Sequence, residues 1–204
     1  MGQMHDSSPA SERDVYWQWA RAESDSKWYG PSYLASLSTR LLARLDSNDR
    51  EGLVDEDWND IERAVLAVRE GYLTSLIELG VKWYSGKLAV SDLQNVRLIR
   101  HDPFLQVAPS RLLSEFVAKL EMGNDPPGSD FGPHYREMRS RFDPNRMRGF
   151  PILVSEAKAG PYLEVEGLTR MAVLLSRLSR GERVPPRIGV MVGVCPRLPE
   201  WQWF

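Results

Sequence analysis

Tyr162-Leu163-Glu164-Val165-Glu166-Gly167-Leu168-Thr169-Arg170 is the stretch on which the fold turns. Up to Glu166 it alternates: Leu163 and Val165 point one way, and Tyr162, Glu164 and Glu166 the other, as in a strand with one buried face. On this pattern Glu164 is expected on the solvent side. The apolar run Phe150-Pro151-Ile152-Leu153-Val154-Ser155 lies just upstream, with a Gly160-Pro161 turn between, so the two segments predict a β-hairpin. Met171, Leu174, Leu175 and Leu178 follow at helical spacing, and Gly181 ends that helix. Arg187 to Val194 reads as another strand. The order hairpin, helix, strand makes residues 134–204 a small α/β unit.

Upstream, Asn124 to Pro133 holds five Gly or Pro residues in ten and reads as a linker, 124–133. Residues 14–123 read as mostly helical. Asp55 to Leu79 is the best-marked helix. Asp55, Glu56 and Asp57 sit where the helix dipole favours negative charge, Trp58, Ile61, Val65, Val68, Tyr72 and Leu76 form a buried face, and Gly80 ends it. Helices also fit Pro31 to Leu45 and Pro109 to Glu121. Val90 to Ile99 reads as a short helix leading to a strand, and Trp83-Tyr84-Ser85-Gly86 as a turn. The aromatics Tyr16, Trp17, Trp19, Trp28 and Tyr29 mark a helix start packed on the body. Residues 1–13 are polar and read as a disordered lead-in. The expected class is therefore α+β: a mostly helical N-terminal part followed by a small α/β unit.

Composition narrows the function. The chain has 204 residues, 42% hydrophobic and 26% charged, as in an ordinary globular protein. A formal net charge of −2 excludes a general nucleic-acid glue, so any such role needs a local patch. Arg136, Arg139, Arg141, Arg146 and Arg148 are the candidate; they suit phosphate binding or a solvated helix face neutralised by Glu137 and Asp143. No apolar run reaches bilayer length, and the N-terminus lacks a signal-peptide pattern. Cys195 is the single cysteine, so no internal disulfide forms, and a cytoplasmic protein without membrane contact is expected. His5, His101 and His134 are scattered, which does not suggest a structural zinc site.

The chemistry sits at the strand-to-helix junction. Gly167 supplies the backbone freedom for a tight turn. Thr169 lies in the first helical turn, whose N–H groups lack intrahelical acceptors and attract anions. Arg170 carries a planar fork suited to phosphate oxygens. Glu166 suits a metal–phosphate complex or a base. The same five residues also fit simple capping, with Arg170 in a surface ion pair.

Phe150-Pro151-Ile152-Leu153-Val154, then Tyr162 to Arg170, then an apolar helix, resembles the ParB/sulfiredoxin superfamily. The resemblance is to bacterial members that read Glu-Gly-His-Thr-Arg at the turn. A terminal segment, Gly193-Val194-Cys195-Pro196-Arg197-Leu198-Pro199-Glu200-Trp201, resembles the way those proteins close. The likeness covers about the last quarter of the chain. It implies a helix N-terminus that binds nucleotide phosphate, with Gly167, Thr169 and Arg170 as phosphate contacts and Glu166 in the acidic role. Arg146 and Arg148, just upstream, are candidates to reach the same pocket. The ligand implied is a nucleoside triphosphate or diphosphate (ATP, ADP or CTP) with Mg2+. Leu168 stands where those proteins carry histidine, and the sulfiredoxin cysteine is absent from the turn, so sulfinic-acid reduction is not implied.

The expected function is a nucleotide-binding protein, as a Mg-dependent phosphotransferase or nucleotide hydrolase with Glu166 and Arg170 catalytic. Its second partner would be a small-molecule phosphate acceptor or a protein. The alternatives are a non-catalytic nucleotide- or partner-binding module of the same fold, and a DNA-associated factor or nuclease. Nucleic acid is the less favoured partner.

Overall fold

The computed structural model describes residues 4–24, 26, 30, 35–143 and 147–204. Trp28, Tyr29, Pro31, Leu34 and Arg146 lie outside them. The chain is a mixed α+β protein built on a five-stranded sheet whose strands lie in the order His5–Pro9, Lys82–Ala89, Arg187–Val194, Ile152–Ser155, Leu163–Glu166.

The expected C-terminal order is present. Strand β3 (Ile152–Ser155) pairs antiparallel with β4 (Leu163–Glu166), and β5 (Arg187–Val194) lies parallel to β3 on its other side. Between β4 and β5 runs the crossover helix α7 (Leu168–Ser179), with Met171, Leu174 and Leu175 buried. Leu178 is its exposed apolar residue.

The N-terminal part departs from expectation in three places. His5–Pro9, read as disordered, forms strand β1 on the outer edge of the sheet. The next helix, α1 (Glu12–Glu23), starts where Ser11 and Asp14 form a reciprocal capping box, with Asp14 N donating to Ser11 Oγ at 3.2 Å and Ser11 N to Asp14 Oδ2 at 2.7 Å. The segment read as a turn at Trp83 is the middle of β2 (Lys82–Ala89), which runs antiparallel along the whole of β5. The linker reading over 124–133 is cut short, because helix α6 (Phe131–Arg141) begins inside it. The sheet therefore draws strands from both sides of that segment.

Of the other helices, α2 (Thr39–Ser47) overlaps the expected span Pro31 to Leu45 but runs past its end to Ser47, and α3 (Asp55–Glu78) falls within its expected span. Residues 90–95 form a 3-10 turn, and α4 (Asp102–Val107) and α5 (Leu113–Glu121) follow. Among the described residues no helix is long and apolar enough to cross a membrane.

The sheet is covered on both faces, and side-chain alternation along β3 and β5 assigns the layers. Leu153, Ile188, Val190 and Val192 face a core with Phe116, Phe131, Tyr135, Met171 and Leu174 from α5, α6 and α7. Ile152, Val154 and Met191 face a second core with Trp17, Trp19, Leu41, Ile61 and Leu76 from α1, α2 and α3. That double covering is why β3 reads as an unbroken apolar run. Cys195, just past β5, is fully buried in the second core.

Strand β4 is the other edge. Arg97 covers its first half: Arg97 N donates to Tyr162 O and Glu164 N to Arg97 O, both at 2.8 Å. Beyond Glu164 this covering strand contact stops, and a cleft opens where the two helical layers meet.

Candidate functional site

The cleft has a volume of about 750 Å3 and is walled by several parts of the chain. The turn Glu166–Arg170 forms one wall, with Glu164 behind it on β4. Helix α6 forms the facing wall with Phe131, His134, Met138 and Arg141, which recur at three- and four-residue steps and so share one helical face. The end of α1 contributes Ala22 and Glu23.

Gly167 sits at φ +97°, at the head of α7. A Cβ there would lie 3.0 Å from Pro151 Cβ and 3.1 Å from Pro151 Cα, so glycine is needed both for conformation and for space. No side chain caps α7. The N–H groups of its first turn have no intrahelical acceptor, and Gly167, Leu168 and Thr169 line the cleft.

Arg170 has a different task from the one its sequence position suggests. Its side chain turns inward, with the residue 8% exposed. Nη1 donates to the main-chain oxygens of Arg148 and, at 2.8 Å, Gly149, while Nη2 pairs with Glu166. Arg170 thus clips the loop before β3 to the turn. This occupies the fork expected to hold phosphate, and it ties up the carboxylate expected to hold a metal ion.

The remaining arginines separate into two groups. Arg148 and Arg141 line the cleft, and they pair with Asp46 and, at 3.0 Å, Glu137. Arg136 and Arg139 point elsewhere, bridging to Asp125 at 2.7 Å and Glu121 at 2.6 Å. Behind the turn, Arg21 is held below the ordinary guanidinium range by burial and by the charges of Arg148 and Arg170, with Asp46 opposing. Of these three, Arg148 and Arg170 line the cleft and pair with Asp46 and Glu166, while Arg21 donates to Leu45 O at 3.0 Å.

The acidic and titratable residues are the larger surprise. Glu164, expected on the solvent side, is instead buried at 5% exposed. Glu23 is also buried and accepts from Trp19 Nε1 at 3.2 Å. His134, from the buried face of α6, and His101, edge-on to Phe104 with ring centroids 4.8 Å apart, both line the cleft. Histidines scattered in sequence are thus brought to one site. Leu168, where the resembled proteins carry histidine, is 7% exposed and packs into the first core.

Comparison with known protein families, curated proteins and solved structures found no match. The function must therefore be argued from the cleft itself.

Among the described residues no group of three or more His, Cys, Asp or Glu is arranged to hold a metal ion, and Glu166 is committed to Arg170. Glu23, His101 and His134 were not legible as site residues in the sequence. The one local signal was the helical spacing of Phe131, His134, Met138 and Arg141, which the linker reading split apart.

Proposed function

We propose that the cleft binds a nucleotide, with the phosphates at the N-terminus of α7. The observation that carries this reading is the uncapped first turn of α7 at a cleft of ligand size that Arg148 also lines. Thr169 and the main chain from Gly167 make the phosphate contacts, and Arg148 adds charge from the facing loop. Arg170 acts by holding the turn in shape. The apolar residues Phe104, Phe131 and Met138 give the base a surface to lie on.

The ParB/sulfiredoxin reading is supported by the order β3, β4, α7, β5, with β5 returning parallel to β3. On that reading the reaction class is phosphoryl transfer or nucleotide hydrolysis on ATP, ADP or CTP, and any Mg2+ would arrive with the phosphates. The non-catalytic alternative draws on buried Leu168, which leaves the turn without its own histidine. A DNA-associated role draws little support, because Arg136, Arg139 and Arg141 are engaged by neighbouring carboxylates.

Thr169→Glu tests the phosphate site without asking the fold to fail. A carboxylate in the first turn of a helix is favourable to the helix by roughly 0.3–1 kcal/mol. The same charge repels a phosphate. The variant should keep or raise its melting temperature and lose nucleotide affinity by at least about tenfold, close to 1.4 kcal/mol. Unchanged affinity in the folded variant, measured by calorimetry, rules out phosphate binding at α7.

A further inference from the structure

We infer that His134 is the general base of the cleft, a reading that rests on the nucleotide assignment above and extends it to chemistry. A proton acceptor is needed to activate the hydroxyl of water or of an acceptor molecule. Glu166 was the sequence-based candidate, but its carboxylate pairs with Arg170. Leu168 has no proton to give or take. The imidazole is supplied by another element: His134 stands on the cleft-facing stripe of α6, between Phe131 and Met138, and lines the same cleft as Glu164 and Glu166.

Its surroundings suit the task. His134 is 5% exposed, so the ring is fixed by packing rather than free in solvent, yet it lines the cleft that Thr169 lines. Imidazole is the side chain whose ordinary titration lies closest to neutral pH, which makes it an effective proton acceptor there. In the step assigned to it, a ring nitrogen takes the proton of the attacking hydroxyl. The hydroxyl oxygen forms a bond to the terminal phosphorus. The bond from that phosphorus to the bridging oxygen breaks, and its electron pair leaves with the nucleotide product. The imidazolium then returns its proton to the product phosphate or to water.

The experiment uses the full chain, with ATP, ADP and CTP as probes and single-turnover phosphate release as the readout. His134→Gln keeps much of the ring's volume and its hydrogen bonding. It should bind nucleotide within about threefold of wild type and release phosphate about a hundred- to ten-thousand-fold more slowly. In His134→Ala, added imidazole should restore part of the rate, which a purely structural role for the ring does not predict. If His134→Ala fails to fold, His134→Gln decides alone. Full turnover in His134→Gln overturns the inference, as does loss of turnover in a folded His134→Ala that imidazole does not restore. A wild type that binds nucleotide without any turnover overturns the inference and leaves the binding site standing; a wild type that binds none removes both.

Discussion

Gly149→Ala is expected to destabilise the protein by about 3 kcal/mol, the sum of a backbone penalty near 1 and a steric penalty near 2. Gly149 lies at φ +64°, and a Cβ there would stand 2.3 Å from Gln18 O and 2.9 Å from Ala22 N. Both atoms belong to the backbone of α1 and cannot move aside as a flexible side chain would. The loop is pinned on both sides of that contact: Gly149 O accepts from Arg170 Nη1 at 2.8 Å, and Phe150 N donates to Gln18 Oε1 at 3.1 Å. Pushing the loop off α1 therefore also loosens the clip that shapes the turn. Gly181→Ala is the control. Gly181 sits at φ +73° with nothing within 4 Å of a Cβ, so only the backbone penalty of about 1 kcal/mol applies. Denaturant unfolding of the two variants should separate them by about 2 kcal/mol; equal losses would show that the approach of Gly149 to α1 is unimportant.

The second large effect belongs to Glu121, which ties three helices together. At the end of α5 it accepts from Tyr135 Oη and Arg139 Nη1 of α6, from Ser176 Oγ of α7 at 2.8 Å, and from Arg180. Burial alone would push its carboxyl up, but the hydrogen bonds from Tyr135, Arg139, Arg180 and Ser176 outweigh that and hold it down at about 2. Glu121→Ala should cost about 3 kcal/mol, since it leaves several polar groups without their acceptor. The pH dependence has a definite sign. A carboxyl depressed on folding stabilises the protein fully above its unfolded value of 4.5, and that share is lost as pH falls toward about 2. Because Arg180 is 48% exposed, solvent screening reduces the share to roughly 1–2 kcal/mol. Wild type should lose that amount between those pH values relative to Glu121→Gln; parallel pH curves for the two proteins would contradict the assignment.

The parts of the fold legible in the sequence are those with a local period. β3, β4, α7 and β5 each carry their own pattern, and so does α3, whose acidic first turn and apolar face mark it from Asp55 onward. β2 was hidden because Trp83-Tyr84-Ser85-Gly86 has the composition of a turn. Its explanation lies across the sheet, where Trp83 pairs with Gly193, and a Cβ at Gly193 would lie 2.7 Å from the indole ring. The glycine there makes room for a neighbour's ring. β1 was hidden for a simpler reason: an edge strand with exposed side chains needs no apolar period.

The candidate site divides the same way. The turn itself could be read from Gly167 and the helix that follows. The orientation of Arg170 could not, because the carbonyls that capture it belong to Arg148 and Gly149, more than twenty residues upstream. A guanidinium fork suits phosphate and carbonyl oxygens alike, so residue type did not decide between them. His101 and Glu23 reach the cleft only through packing of distant elements, which no spacing rule reports, and the helical spacing that carries His134 says nothing of which element it faces.

The measurement that bears most directly on the central claim is a calorimetric titration of the wild-type chain with ATP, ADP and CTP, repeated in the presence of inorganic pyrophosphate. Saturable binding of one nucleotide per chain, competed by pyrophosphate, is the result expected of a phosphate site at the head of α7. No saturable binding of any of these nucleotides or of pyrophosphate, up to millimolar concentration, would contradict it.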